Sequence, residues 1–116
     1  NVTAYFESRR QMVIARNTSD ELFKNVDVLI TPTMPSIPVE IEAALKDPPN
    51  EVSLIRNTLP IDVYGLPTIS VPCGFTKAGM PIGLQISGPR LAEARVLALA
   101  HAYEQATEWH KKQAPV

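Results

Sequence analysis

The sequence predicts an α/β fold, and one whose sheet needs more cover than 116 residues supply. Three observations carry that expectation. Short runs of branched apolar residues recur at 26–30, 68–71 and 82–87, each followed within two residues by proline or glycine. Near-continuous apolar runs of that length mark strands covered on both faces. Helix-period segments stand at either end of the chain, and three strands with one polar-edged helix at each end make too thin a layer to cover a sheet twice.

Residues 2–24 read as helix, with Val2, Tyr5, Phe6, Met12, Val13, Leu22 and Phe23 at helical spacing and Arg9, Arg10 and Arg16 between them. Within that stretch Thr18-Ser19-Asp20-Glu21 has the form of a capping box, which would start a second helix. One long helix with a break near residue 17 is the favoured reading. The run Val26 to Ile30 is the first strand. It ends in Thr31-Pro32-Thr33-Met34-Pro35, where prolines 32, 35 and 38 exclude regular pairing and hold the chain extended. Residues 39–46 fit a helical turn, and Asp47-Pro48-Pro49-Asn50 a loop.

Between Glu51 and Tyr64 the pattern is ambiguous, and short helical turns interrupted by Pro60 fit it best. Thr68 to Val71 is the second strand, bracketed by Pro67 and by Pro72-Cys73-Gly74. After a turn at Thr76 to Gly79, Ile82 to Ser87 is the third, and the short loop between them predicts a hairpin. Leu91 to Trp109 is helical. Val96, Leu97, Ala100, Tyr103 and Ala106 form its apolar stripe, and Lys111 and Lys112 suit the negative pole at its end. Ala114-Pro115-Val116 reads as a natural finish. The opening at Asn1, directly on a helical pattern and without Met, points to processing or truncation of what came before.

Composition narrows the function classes. A formal net charge of −1 gives no broad attraction for nucleic acid or anionic lipid, so neither is expected as a direct partner. The 11 prolines, about twice the usual share, punctuate apolar runs instead of forming a linker. A lone cysteine, Cys73, excludes a disulfide framework and a multi-cysteine metal site, and fits a reducing, cytoplasmic setting. No signal-peptide pattern occurs, and no apolar run nears the ~20 residues that cross a bilayer. The triplets Asn1-Val2-Thr3 and Asn17-Thr18-Ser19 read as chance matches to a glycosylation acceptor.

Reactive sets are few. His101 and His110 are nine residues apart, about half a turn out of phase on a helix, and read as packing and surface residues. Cys73 lacks a neighbouring histidine or helix start to activate it, and reads as a small buried side chain. Asp27 and Asp62 flank apolar segments. Asp62 precedes the Tyr64-Gly65-Leu66-Pro67 turn, where its carboxylate would lock the loop by accepting main-chain N–H groups. No phosphate loop and no metal-ligand spacing appears, so neither a metal nor a cofactor is expected.

Three stretches carry a family likeness: DVLITPTMP at 27–35, NTLPIDVYGLPTISVPCGF at 57–75 and GMPIGLQISGP at 79–89. With the Leu97-to-Glu104 helix and the EQATEWH stretch at 104–110, the ordered set resembles the carboxy-terminal part of the amidase-signature family. The resemblance implies a single α/β domain several times this length, with a mixed central sheet flanked by helices, of which residues 1–116 are a carboxy-terminal segment and not a complete domain. It also implies amide cleavage by a serine–cis-serine–lysine set through an acyl-enzyme, without histidine.

Those catalytic residues lie in a Gly/Ser-rich stretch upstream in the family. No catalytic position is therefore assigned here, Ser70 and Lys77 being outside such a context, and the segment alone is expected to be inactive. By position, Ile55 and Leu59, with Thr58 adjacent, match side chains that face the bound acyl group, and both leading positions are apolar. In the A subunit of the tRNA-dependent glutamine amidotransferase the position of Ile55 holds a carboxylate for the substrate amino group. Ile55 would leave that ammonium buried and unpaired, which is costly. A free-standing hydrolase of linear or aryl amides is thus preferred. The alternatives are a catalytically silent binding domain of the same fold and that amidotransferase component. Asp62 departs from a frequent Asn. The expected partners are a small amide substrate and the rest of the parent chain, and homodimerisation stays open.

Overall fold

The computed structural model describes residues 1–49 and 51–113. Asn50, at the end of the expected loop, and residues 114–116, the expected finish, lie outside the described residues. Helix α1 spans Val2–Thr18, and its first turn is capped by Asn1, whose Oδ1 accepts from Thr3 N at 2.9 Å. The capping box at Thr18 does not form. Thr18 Oγ1 donates back to Ile14 O at 3.0 Å, so the chain only tightens into a 3-10 turn over Ser19–Phe23. Ser19, fully buried, donates to Arg16 O at 2.8 Å and closes the junction.

Strand β1, Leu29–Pro32, begins later than the apolar run and takes in a proline expected to exclude pairing. Its register with β3 (Pro81–Ser87) decides this: Leu29 faces Ser87 and Pro32 faces Leu84. Proline is tolerated at the end of an edge strand, where no ladder N–H is required of it. Helices α2 (Ile41–Lys46), α3 (Glu51–Leu54) and α4 (Leu59–Tyr64) follow as short pieces. Pro60 sits in the first turn of α4 and starts that helix instead of interrupting it. Gly65, at φ 69°, ends it in the left-handed region, its N–H donating to Ile61 O at 2.9 Å.

Strand β2, Thr68–Phe75, outruns the expected Val71 by passing through a bulge between Pro72 and Gly74. It forms the expected hairpin with β3, and the three-stranded sheet has the order β1-β3-β2, antiparallel throughout. Helix α5, Glu93–Ala106, packs on one face. Its Val96 and Ala100 meet Val71 and Ile86, with Ile69, Leu84 and Tyr103 half-buried around them. Leu97, expected in the same stripe, is 57 % exposed and points off the core.

The arrangement is thus α/β, and it is open. A self-contained chain of this length has a radius of gyration of about 13 Å, whereas this one measures 17.2 Å. Its accessible surface is 8879 Å², against about 6,200 Å² for a folded protein of this mass. Large apolar side chains stand exposed on several elements: Phe6 on α1, Ile30 on β1, Ile41 and Leu45 on α2. Two-sided cover, expected for the strands, is missing at β1, where Ile30 to Pro32 stay exposed.

Candidate functional site

Side chains alternate across the sheet, so the register sorts them into two faces. Ile30, Ile69 and Ile86 lie together on the face under α5. Thr31, Ser70 and Gln85 lie together on the other, with Thr68 beside Ser87. That second face is hydroxyl-rich and internally bonded. Thr68 Oγ1 donates to Ser87 Oγ at 2.9 Å, and the hydroxyls of Thr33 and Ser70 share a hydrogen bond of 2.5 Å. The latter bond passes over Gly83, where a Cβ would come within 2.8 Å of both oxygens. Only glycine fits beneath that pair.

The turn from Ile55 to Leu59 is tied to this face. Ile55 O accepts from Thr58 N at 3.0 Å, from Leu59 N at 2.7 Å and from Thr58 Oγ1 at 3.2 Å, which folds the segment into α4. Asn57 holds it to the sheet from both of its ends. Its Nδ2 donates to Pro32 O at 2.9 Å, while its carbonyl accepts from Gln85 Nε2 at 3.0 Å. Gln85 is 2 % exposed, so its amide is buried with a partner. Ile55, Thr58 and Leu59, the three residues matched to an acyl pocket, therefore share one pinned turn. Ile55 and Leu59 are 40 % and 39 % exposed, and Thr58 is half-buried. Neither Asn57 nor Gln85 emerges from the sequence, although a lone amide between the branched residues of β3 is a usable signal.

Other candidates are dispersed. Cys73 is half-buried at the β2 bulge, in mid-strand and not at a strand end. His101 and His110 are exposed, the first on α5 and the second in the 3-10 turn Trp109–Lys111. Asp62 stands exposed in the first turn of α4, and among the described residues its carboxylate makes no hydrogen bond. The loop it was expected to lock is closed by backbone bonds from Gly65 and Leu66 to Ile61 O instead. Asp27 pairs with Arg95 at 3.3 Å across the surface. Among the described residues no three His, Cys, Asp or Glu side chains gather where they could hold a metal ion.

An apolar groove of about 270 Å³ runs along Pro32, Met34, Ile37, Pro38, Pro81 and Ile82. Ile55, Thr58 and Leu59 do not line it. What the tied turn can do chemically is orient: it offers apolar side chains and one hydroxyl from a fixed backbone, and no nucleophile with a base beside it. No helix among the described residues is long and apolar enough to cross a membrane.

Comparison with known proteins gives the geometry its context. The profile of the family described as Amidase matches residues 1–97. The A subunit of glutamyl-tRNA(Gln) amidotransferase from Microcystis aeruginosa (strain NIES-843 / IAM M-2473) is 39 % identical over 109 residues, covering 94 % of this chain and 23 % of that protein. The crystal structure of the corresponding A subunit from Thermotoga maritima superposes with a TM-score of 0.73 at 34 % identity, over 91 % of this chain and 24 % of that one. A bacterial aryl acylamidase described as an amidase-signature enzyme superposes at 0.74 with 25 % identity, over 96 % and 24 % of the two chains. The chain spans under a quarter of the length of the curated relatives it matches.

Proposed function

The chain belongs to the amidase family, and from that premise we propose that residues 1–116 are a carboxy-terminal segment of one amidase-signature domain, acting in the cytoplasm as part of a hydrolase that cleaves carboxylic amide C–N bonds. In this reading a serine oxygen contributed by the remainder of the domain attacks the amide carbonyl carbon. Backbone N–H groups hold the oxyanion, the amine leaves with a proton, and water then releases the acid from the acyl-serine. The segment supplies no catalytic residue and is inactive alone. Its share is the acyl-side wall, made by Ile55 and Leu59 with the Thr58 hydroxyl between them. No cofactor or metal takes part.

The observation that carries the hydrolase reading is the apolar pair itself. Ile55 and Leu59 are presented from one turn that is bonded to two strands, and an acyl chain with little charge suits such a wall. A second reading has its own support: the relatives at 39 % and 34 % identity are both amidotransferase A subunits. In that role the protein would work with further subunits on charged tRNA, and it would lack a carboxylate at position 55 for the substrate ammonium.

Assaying the full-length protein on acyl p-nitroanilides and on glutamine separates the two. Hydrolysis of the anilides by the protein alone, weakened for long acyl chains by Ile55→Asp, is the expected result. Glutamine hydrolysis that requires a second protein would defeat the hydrolase reading, and an unchanged Ile55→Asp variant would remove Ile55 from the wall.

A further inference from the structure

We infer that Asn57 and Gln85 are positioning residues that set the acyl-chain preference of the enzyme by fixing the turn carrying Ile55, Thr58 and Leu59; the inference rests on the reading of that turn as the acyl-side wall. Asn57 is the middle residue of the turn, and both of its polar ends are used. The side chain reaches β1 through Pro32 O at 2.9 Å, and the main chain reaches β3 through Gln85 Nε2 at 3.0 Å. Two strands thus hold one residue, with Ile55 and Leu59 at equal distances along the chain on either side of it.

Gln85 gives the tie its specificity. It is 2 % exposed in a strand otherwise built of Ile, Leu, Gly, Pro and Ser. A buried amide is unfavourable unless bonded, and a branched apolar residue would serve the strand better. The bond to the turn is what offsets its burial. Pro32 O is available because β1 is an edge strand: Thr33 N bonds Gly83 O at 2.9 Å, so the carbonyl of the residue before it points away from β3. Neither Asn57 nor Gln85 presents a group to the acyl chain. They act through the turn, whose displacement by a fraction of an ångström would misalign the wall.

The test uses the full-length enzyme and p-nitroanilides of acetic, butyric and hexanoic acid. Asn57→Ala removes the bond to Pro32 O from a half-buried site, and Gln85→Met keeps the volume while leaving Asn57 O unpaired. Each should raise KM for the hexanoyl substrate by about fivefold or more while kcat changes less than about twofold, because binding of the acyl chain common to the ground state and the transition state is what is lost. The acetyl substrate should be nearly unaffected, so the preference for long chains collapses.

A Gln85→Met variant that does not fold leaves Asn57→Ala to decide. Equal losses on all three substrates, or a fall in kcat at constant KM, would overturn the inference. Ile55→Ala serves as the reference. If it shifts chain-length preference while Asn57→Ala and Gln85→Met do not, the positioning role alone fails; if it shifts nothing, the acyl-wall reading fails and takes this inference with it.

Discussion

Replacing Gly83 by Ala would test the packing of the hydroxyl face. The new Cβ would lie 2.7 Å from Thr33 Oγ1, 2.8 Å from Ser70 Oγ and 3.1 Å from Thr33 Cβ. Neither oxygen can retreat freely, since they are bonded to each other at 2.5 Å and Thr33 N is bonded to Gly83 O at 2.9 Å. Relief must come from strand separation or from breaking the hydroxyl pair. Overpacking of a fitted site costs about 1–3 kcal/mol, and a lost hydrogen bond about 1 kcal/mol. Urea unfolding of the full-length protein should therefore show a midpoint lowered by the equivalent of about 2 kcal/mol with an unchanged slope. Adding Ser70→Ala makes room for the methyl, so the double variant should be more stable than the summed single effects by about 1 kcal/mol. A Gly83→Ala protein within about 0.5 kcal/mol of the parent, the range of harmless surface changes, would refute the close approach, and strict additivity would refute the shared contact.

Two further substitutions have expected outcomes on the same assay. Gly65→Ala forces a side chain into φ 69° at the end of α4 and should destabilise by about 1 kcal/mol or more; a neutral or stabilising effect would mean that the turn is not left-handed. Asp27→Asn breaks a pair with Arg95 whose side chains are 89 % and 54 % exposed, and should change stability by less than about 0.5 kcal/mol. A loss several times larger would show that this pair anchors α5 to the sheet.

The strands are legible because branched residues between prolines leave little alternative: the second and third are found and paired correctly from sequence, with errors at their ends. Those errors have physical causes. Pro32 joins β1 because the ladder with β3 needs no N–H from it, and β2 outlasts Val71 because a bulge at Cys73 lets the pairing resume at Gly74. Pro60 misleads for a related reason, since proline starts a helix as readily as it breaks one. At Thr18 the capping sequence is present, but its hydroxyl bonds backward to Ile14 O. Periodicity also overestimates the α5 stripe, because Leu97 needs a surface to face and none of the described elements supplies it.

The candidate site is legible only in part. Ile55, Thr58 and Leu59 come from a resemblance and not from local pattern, and their common turn is a tertiary product. It depends on Asn57 meeting Pro32 O and Gln85, at 25 and 28 residues' separation. No spacing rule reaches that far. The locking role expected of Asp62 fails because Gly65 closes the turn by backbone bonds alone.

The sheet and helices of residues 1–116 are, in this account, shaped to be covered by the remainder of an amidase domain. The most direct measurement is a thermal melt of this segment produced alone as a monomer, followed by circular dichroism with a dye that binds exposed apolar surface. With an accessible surface of 8879 Å² and Phe6, Ile41 and Leu45 open to water, strong dye binding and no sharp transition are expected. A steep cooperative melt from a monomer that leaves the dye unbound would contradict it.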